Sequence, residues 1–364
     1  MSVRNFETTR DYYVLLGVEL QKESIFYVYA PEWRENAAGI KVLHQFCHLI
    51  NLTGGSAWLV THSRKKQSDP HHDLITPRLN LFTYLNHRLR RSDVIVVYPE
   101  TIDFNPIRGN KIIRYHLNYQ GYLSNFEPKL TEFNLSYSKS ISDQIELTPG
   151  SILFIPIIPK FLPSRRDKPN LSGLSAAYVG KYFDYFDNGL IEKLINDSKI
   201  NLIFRNGEQK QTQKEAFAII AQSSYLSVFE NSSIILESLL IGTPVRLHKN
   251  EYFHELIAGE ELGYDGCFEN IENFDRACAS IRNIPGNLAQ IQANLPQRVS
   301  HLIEALRAYS GWTEIPYGRA IYLPLTLRRL RHRIGMIRAS YKKFGLQKTL
   351  RLSRRTFDSW KSPS

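Results

Sequence analysis

Residues 24–62 read SIFYVYAPEWRENAAGIKVLHQFCHLINLTGGSAWLVTH. "IFYVYA" (25–30) is aromatic and β-branched, the composition of a strand. A polar loop follows and ends at Ala38 and Gly39. Ile40, Leu43, Phe46, Cys47 and Ile50 then recur at helical spacing, and "SAWLVT" (56–61) is a second strand. Strand, loop, helix and strand in succession make a βαβ unit. Its strands run parallel, because the helix carries the chain back to the starting edge.

The pattern continues outward from this unit. "DVIVVYPE" (93–100), "NKIIRYHLN" (110–118) and "SILFIPII" (151–158) read as strands, with a weaker one near 133–137. These predict one open parallel sheet up to about residue 160. "PSRRDKPNLSGLS" (163–175) is rich in Pro, Ser and charge and reads as a linker. A second βα series then begins with "AAYVGKYF" (176–183). It runs through a helix near 187–197, "INLIFRNG" (200–207), a helix over 210–221, "YLSVFE" (225–230) and "TPVRLH" (243–248). The chain after 250 looks helical to about Tyr309. The expected architecture is α/β, with two Rossmann-like doubly wound parallel-sheet domains facing a cleft and a basic helical C-terminal tail. Residues 1–162 form the first domain, 163–310 the second and 311–364 a crossover and tail. Ligands of such sheets bind at the carboxyl ends of the strands.

A length of 364 residues exceeds what one ordinary core supports, which agrees with two domains. The longest apolar run, "SILFIPIIPKFLP", is too short to span a bilayer and is interrupted by prolines. The N-terminal "MSVRNFETTRDYY" has no apolar signal core. Cys47, Cys267 and Cys278 are odd in number and lack metal-type spacing, which predicts reduced thiols in a cytoplasmic protein. "SDPHHD" places Asp69, His71, His72 and Asp73 together, but adjacent histidines point apart, so it reads as a surface loop and no metal site is expected.

Residues 229–247, FENSSIILESLLIGTPVRL, pose a chemical question. They predict a helix from about Ser232 to Ile241 and a strand from about Pro244. The helix is apolar on nearly every side, yet Glu237 sits in its middle. A buried carboxylate without partners costs several kcal/mol, on the order of an unpaired buried charge.

Two Rossmann-like domains in tandem with this stretch resemble the GT-B glycosyltransferases, in particular the family 4-like enzymes and bacterial surface-polysaccharide transferases. Glu230, Ser232, Ser233, Glu237, Gly242, Pro244 and Val245 match the family signature, with six residues between the glutamates where seven are usual. "VIVVYPETIDFNPIRGNKIIRYHLNYQG" and "AAGIKVLHQFCHLI" resemble further segments of such transferases. The resemblance implies transfer of a sugar from a nucleotide-sugar donor to a polysaccharide or lipid-linked glycan acceptor, retaining and without a metal or other cofactor. Another GT-B activity, such as nucleotide-sugar epimerisation, and a non-catalytic binding role are the rivals.

On this reading Glu237 accepts from the ribose hydroxyls, or else pairs with a core Arg or Tyr. N–H groups near Ser232 and Ser233 hold the diphosphate, helped by the helix dipole. Glu230 accepts from a sugar hydroxyl or caps the helix. Arg205 and Lys181, each just after a strand, neutralise the leaving group or remain solvated loop charges. Gly39, at a helix start, lets backbone approach a phosphate or is an ordinary loop glycine. His116 and Glu100, ending strands of the first domain, are catalytic candidates; a satisfied core His is the alternative for His116.

The net charge is +11, and the Lys and Arg from 328 onward, against Asp358 alone, carry all of it. Leu327, Leu330, Ile334, Ile337, Tyr341 and Phe344 form one apolar stripe among these cations. A basic amphipathic helix over 327–357 suits an anionic membrane surface, and a peripheral location on the inner face of the cytoplasmic membrane follows. A helix packing back on the first domain is the other reading. No nucleic-acid-reading module accompanies the tail, so nucleic acid is not an expected partner.

Overall fold

The computed structural model describes residues 25–312 apart from 36, 62–72, 91, 121–126, 130, 146–151, 167–169, 172, 181–195, 198, 206–208, 251–252 and 310–311. The helix expected at 187–197, Lys181, Asp69, His71, His72 and the 327–357 tail therefore lie outside the described residues, in whole or nearly so. The chain divides into two compact units. Unit 1 holds Met1–Tyr137, Ile141–Ile155 and Leu295–Ser364; unit 2 holds Ser138–Ser140 and Pro156–Asn294.

In unit 1, β1 (Ile25–Tyr29) leads into α1 (Ala38–Leu52) and β2 (Ser56–Val60). Then come α2 (Leu81–Leu89), β3 (Val94–Pro99), β4 (Lys111–His116) and β5 (Phe133–Ser136). The described strands form a five-stranded sheet in the order β2-β1-β3-β4-β5. Every pairing is parallel. Tyr27 stands opposite Trp58 on one side and Val96 on the other, so β1 is central. All of β1 is buried, which is why it reads as a continuous apolar run and not as an alternating one. Ile25, Tyr27 and Tyr29 pack with Val60, Tyr98 and Ile112 on one face. The expected first βαβ unit is present.

The short helix α3 (Lys139–Gln144) is divided, Lys139 and Ser140 counting with unit 2 and the rest with unit 1. In unit 2, β6 (Ser175–Val179), β7 (Ile200–Phe204), α4 (Gln213–Gln222), β8 (Leu226–Val228), α5 (Ile234–Ile241) and β9 (Val245–Leu247) follow. A short helix α6 (Gly259–Leu262) and β10 (Cys267–Phe268) come next. The described strands pair in the order β10-β9-β8-β6-β7, again parallel throughout. The local causes are plain. Thr212 and Glu215 form a reciprocal capping box that starts α4. Gly242, at φ 92°, adopts the left-handed conformation that ends α5. Helix α7 (Phe274–Ser280) and the long helix α8 (Ile284–Ala308) follow, and the two units meet in sequence inside α8.

Three readings change in detail. The 151–158 run is buried at Leu153, Phe154, Ile155 and Ile157 but makes no strand, only an isolated bridge from Ile152 to Ser136. Pro156 and Pro159 have no N–H to donate to a ladder. The fifth strand of the second sheet is instead the two-residue β10, within a region that reads as wholly helical. The 163–175 segment is not a loose connector throughout. Arg165 donates to Leu239 O at 2.9 Å and to Ile281 O at 2.8 Å, and Arg166 N donates to Ile241 O at 3.1 Å. The bonds to Leu239 and Ile241 cap the last carbonyls of α5, where a cation is favoured by the helix dipole.

Candidate functional site

Because the second sheet is parallel, its strands deliver their carboxyl ends to one edge. Gly180 follows β6, Arg205 follows β7, Glu230 lies two residues past β8, and His248 follows β9. Arg205 N donates to Val179 O at 3.1 Å, which ties the ends of β6 and β7 together. The Tyr178 hydroxyl, on β6, lies close to Ser232, Arg205 and Glu230. Burial pushes the Tyr178 hydroxyl's pKa up; Arg205 and Ser232 oppose that rise, and the charge of Glu230 adds to it. The phenol therefore stays protonated at neutral pH.

Glu230 is 1 % exposed and its carboxyl group lies directly on the backbone of Gly180. A methyl group at Gly180 would collide with the carboxyl carbon and both oxygens. Glycine is therefore required at that place by the Glu230 side chain and not by a turn. An acid, a cation, a phenol and a serine are brought together from positions 178, 205, 230 and 232.

The loop between β8 and α5 is fixed from behind. Asn231 accepts from Ile257 N at 2.9 Å and donates to Glu255 O at 2.8 Å. Asn250 donates to Phe229 O at 2.9 Å. The His248 ring stacks on Phe229, with centroids 4.5 Å apart and planes at 20°, and its Nε2 lies 3.0 Å from Ser227 Oγ. Burial, aided by Arg246, pushes the His248 pKa down to about 4, so this ring is neutral at pH 7. Neither Tyr178 nor His248 stands out in the sequence.

α5 begins at Ile234, with Ser233 as its N-cap and no side-chain bond there. Glu237 is 6 % exposed and one turn into the helix, its N–H donating to Ser233 O at 3.1 Å. Its neighbours Ile234, Ile235, Leu236, Ser238 and Leu239 are buried as well, so the carboxylate does enter an apolar element.

The other sequence candidates lie in unit 1. Glu100 accepts from Leu117 N at 3.0 Å, and its own N–H donates to Tyr115 O at 3.1 Å. His116 Nε2 is 3.0 Å from Asn134 Oδ1. The Asn134 amide donates to Lys129 O and Glu132 O, so its oxygen is the acceptor and Nε2 carries the proton. Burial pushes His116 down to about 4; the Asn134 bond and Glu132 work against that, and Arg114 adds to it. Gly39 is the second residue of α1, where a Cβ would make ordinary contact with Leu117 Cδ1 at 3.5 Å. Glu100, Leu117 and Gly39 thus adjoin at the carboxyl edge of the first sheet.

Behind His116, the Arg114 side chain is fully buried. It donates from Nε and Nη2 to the two oxygens of Glu132 at 2.8 and 2.9 Å, from Nη1 to Ile102 O, and stacks over Tyr98 at 5.2 Å. Among the described residues no three or more His, Cys, Asp and Glu gather as a metal site would require. No helix among them is long and apolar enough to cross a membrane.

No family model matches the sequence, and no curated protein matches it. Solved structures similar to this chain include AviGT4, a glycosyltransferase involved in avilamycin A biosynthesis, at 12% identity and TM-score 0.46, covering 79% of this chain and 97% of that one. WaaG, a glycosyltransferase involved in lipopolysaccharide biosynthesis, aligns at 11% identity and TM-score 0.37 over 80% of this chain and 97% of its own. Sucrose-phosphate synthase from Thermosynechococcus elongatus aligns at 10% identity and TM-score 0.40 over 79% and 97%.

Proposed function

We propose that the protein is a glycosyltransferase that moves a sugar from a nucleotide-sugar donor to a polysaccharide or lipid-linked glycan acceptor. The observation that carries this is the gathering of Glu230, Arg205, Tyr178 and Ser232 at the carboxyl ends of β6, β7 and β8. A nucleotide sugar needs acceptors for its hydroxyls and fixed positive charge at its diphosphate. Glu230 and Glu237 supply the first; Arg205, with the N–H groups at Ser232 and Ser233, supplies the second. When the bond from the anomeric carbon to the diphosphate breaks, the phosphate oxygen takes the electron pair, and the cation of Arg205 stabilises it. The acceptor oxygen bonds the carbon, and its proton passes to the departing diphosphate oxygen.

Retention of configuration and independence of metal belong to the same proposal, as do the roles of Lys181 and Gly39 at the phosphates. So do a cytoplasmic setting and attachment of 327–357 to anionic lipid. The catalytic roles of His116 and Glu100 are proposals too. Each already holds a partner in the first sheet, so replacing either would disturb fold and chemistry together.

A nucleotide that binds only the folded chain raises its melting temperature by mass action. Nucleoside diphosphates and their sugars, screened one by one, should give one clear stabiliser. Glu237→Gln should weaken that ligand by about tenfold, which is about 1.4 kcal/mol, the scale of one charge-assisted hydrogen bond. Unchanged affinity would remove Glu237 from the site, and stabilisation by no nucleotide would overturn the transferase reading.

A further inference from the structure

Lys41, on α1, is a buried cation that its surroundings do not satisfy. Its side chain is 2% exposed, and Val42, Leu43 and His44 beside it are buried as well. Unit 1 treats its buried Arg114 differently, giving it both oxygens of Glu132 and the Ile102 carbonyl. The Lys41 ammonium has three N–H donors, and among the described residues none meets an acceptor at hydrogen-bond distance. Its one ion pair among those residues is with Glu35 Oε2, at 4.0 Å. The Glu35 side chain is 53% exposed, and its other oxygen accepts from Trp33 Nε1 at 3.0 Å. Trp33 is buried and packs edge-on against His44, whose Nε2 lies 2.9 Å from Pro31 O. The loop after β1 thus holds an acid near the ammonium without closing the contact.

The backbone at the same place is electropositive. α1 runs for 15 residues, its N-cap Ala37 makes no side-chain bond, and its first turn contains no acid. Lys41 N donates to Ala37 O at 3.1 Å; the N–H groups of the first turn stand ahead of that bond, without an acceptor inside the helix. Helical side chains lean toward the N-terminus, and the approach to Glu35, three residues before Ala38, puts the ammonium at that end. A helix start and a buried cation together favour an oxyanion. β1 is central in its sheet and α1 follows it, so this place lies at the carboxyl edge of the first sheet. On the transferase reading, Arg205 and the start of α5 neutralise the diphosphate from unit 2, which leaves the unit 1 cation for the other substrate. We infer that Lys41, at the start of α1, binds an anionic group of the acceptor, a carboxylate or a phosphate on its sugar, and that Glu35 competes with that group for the ammonium. Assigning the anion to the acceptor rests on the transferase reading; the anion site itself does not.

The Trp33 indole N–H reports the site directly, because it is bonded to Glu35. Its resonance in the full chain is identified by its loss in Trp33→Phe. Inorganic phosphate and methyl β-glucuronide should shift it, and the tighter of the two names the group. Methyl β-glucoside, which lacks the charge, should leave it in place. Lys41→Met, an uncharged side chain that suits burial, should keep the melting temperature and weaken the anion by about tenfold or more. Glu35→Gln keeps an acceptor for Trp33 and should tighten the anion, because the competing charge is gone. A Trp33 resonance indifferent to both anions, or one that still shifts in Lys41→Met, would overturn the site. If Lys41→Met does not fold, Glu35→Gln decides alone: anion affinity unchanged or reduced would make Lys41 and Glu35 a structural pair. A nucleoside diphosphate that displaces both anions and binds more weakly to Lys41→Met would give the ammonium to the donor and overturn the acceptor assignment. Failure of the nucleotide screen would remove the transferase reading and leave the Trp33 result standing.

Discussion

The two sheets use similar polar residues to different ends. In unit 1, Arg114, Glu132, His116 and Glu100 are all buried, and each is bonded to a neighbour on the sheet or to main chain. In unit 2, Glu230 is buried but Arg205, Ser232 and Ser233 are only partly so, and the cluster sits where three strands end. Chemistry needs polar groups that can still meet a ligand. The first set is mainly a lock on the fold, and the cluster at the carboxyl edge of the second sheet is the better candidate for work on a substrate.

The sharpest way to break this contrast is at the lock. Glu132→Ala would leave the Arg114 guanidinium buried without its carboxylate, which costs about 3–5 kcal/mol. Chemical denaturation should show that loss, and a loss under 1 kcal/mol would mean that the pair is solvated. At the second edge, Arg205→Ala should leave the melting temperature nearly unchanged while turnover falls by about 100-fold or more, the scale of one lost transition-state donor. Equal loss of stability there would make both edges structural.

A smaller effect concerns pH. His116 is held near pKa 4 in the fold and titrates near 6.5 when unfolded. Between those values the unfolded chain binds more protons, so stability falls as pH drops from about 6.5 to 4 and rises again with pH. The buried neutral ring should account for on the order of 2 kcal/mol of that fall. His116→Gln, which can still donate to Asn134, should flatten the slope in that window. An unchanged slope would place the proton uptake elsewhere, with His248 the next group to replace.

The strands of the first sheet were legible because they are long and β-branched, and the parallel order followed from the helix between β1 and β2. The 151–158 run misled because burial and pairing are separate properties: its side chains enter the core while its prolines keep it out of the ladder. β10 was hidden by its length, since two residues carry no period. α2 went unread although Leu81, Leu85 and Leu89 recur at helical spacing after Asn80. At the site, Glu230, Glu237, Ser232 and Arg205 could be named from motif and strand ends. Tyr178 could not, because inside "AAYV" it reads as one more apolar strand residue, and only three converging strand ends reveal its partners. Gly180 likewise acquires meaning only from the carboxylate that lies on it.

The division between the units falls inside α8, between Asn294 and Leu295, one residue before Pro296, whose ring nitrogen cannot donate to the Gln292 carbonyl. Val299, Leu302, Ile303 and Leu306 are buried; Ile303 adjoins Gly55, and Arg298 donates to Ile152 O at 3.3 Å. The first sheet is thus translated early, but its last packing layer leaves the ribosome only after the whole of the second. During synthesis the first sheet must wait with that surface uncovered, and a chain halted just before residue 295 would carry both sheets and only one finished core.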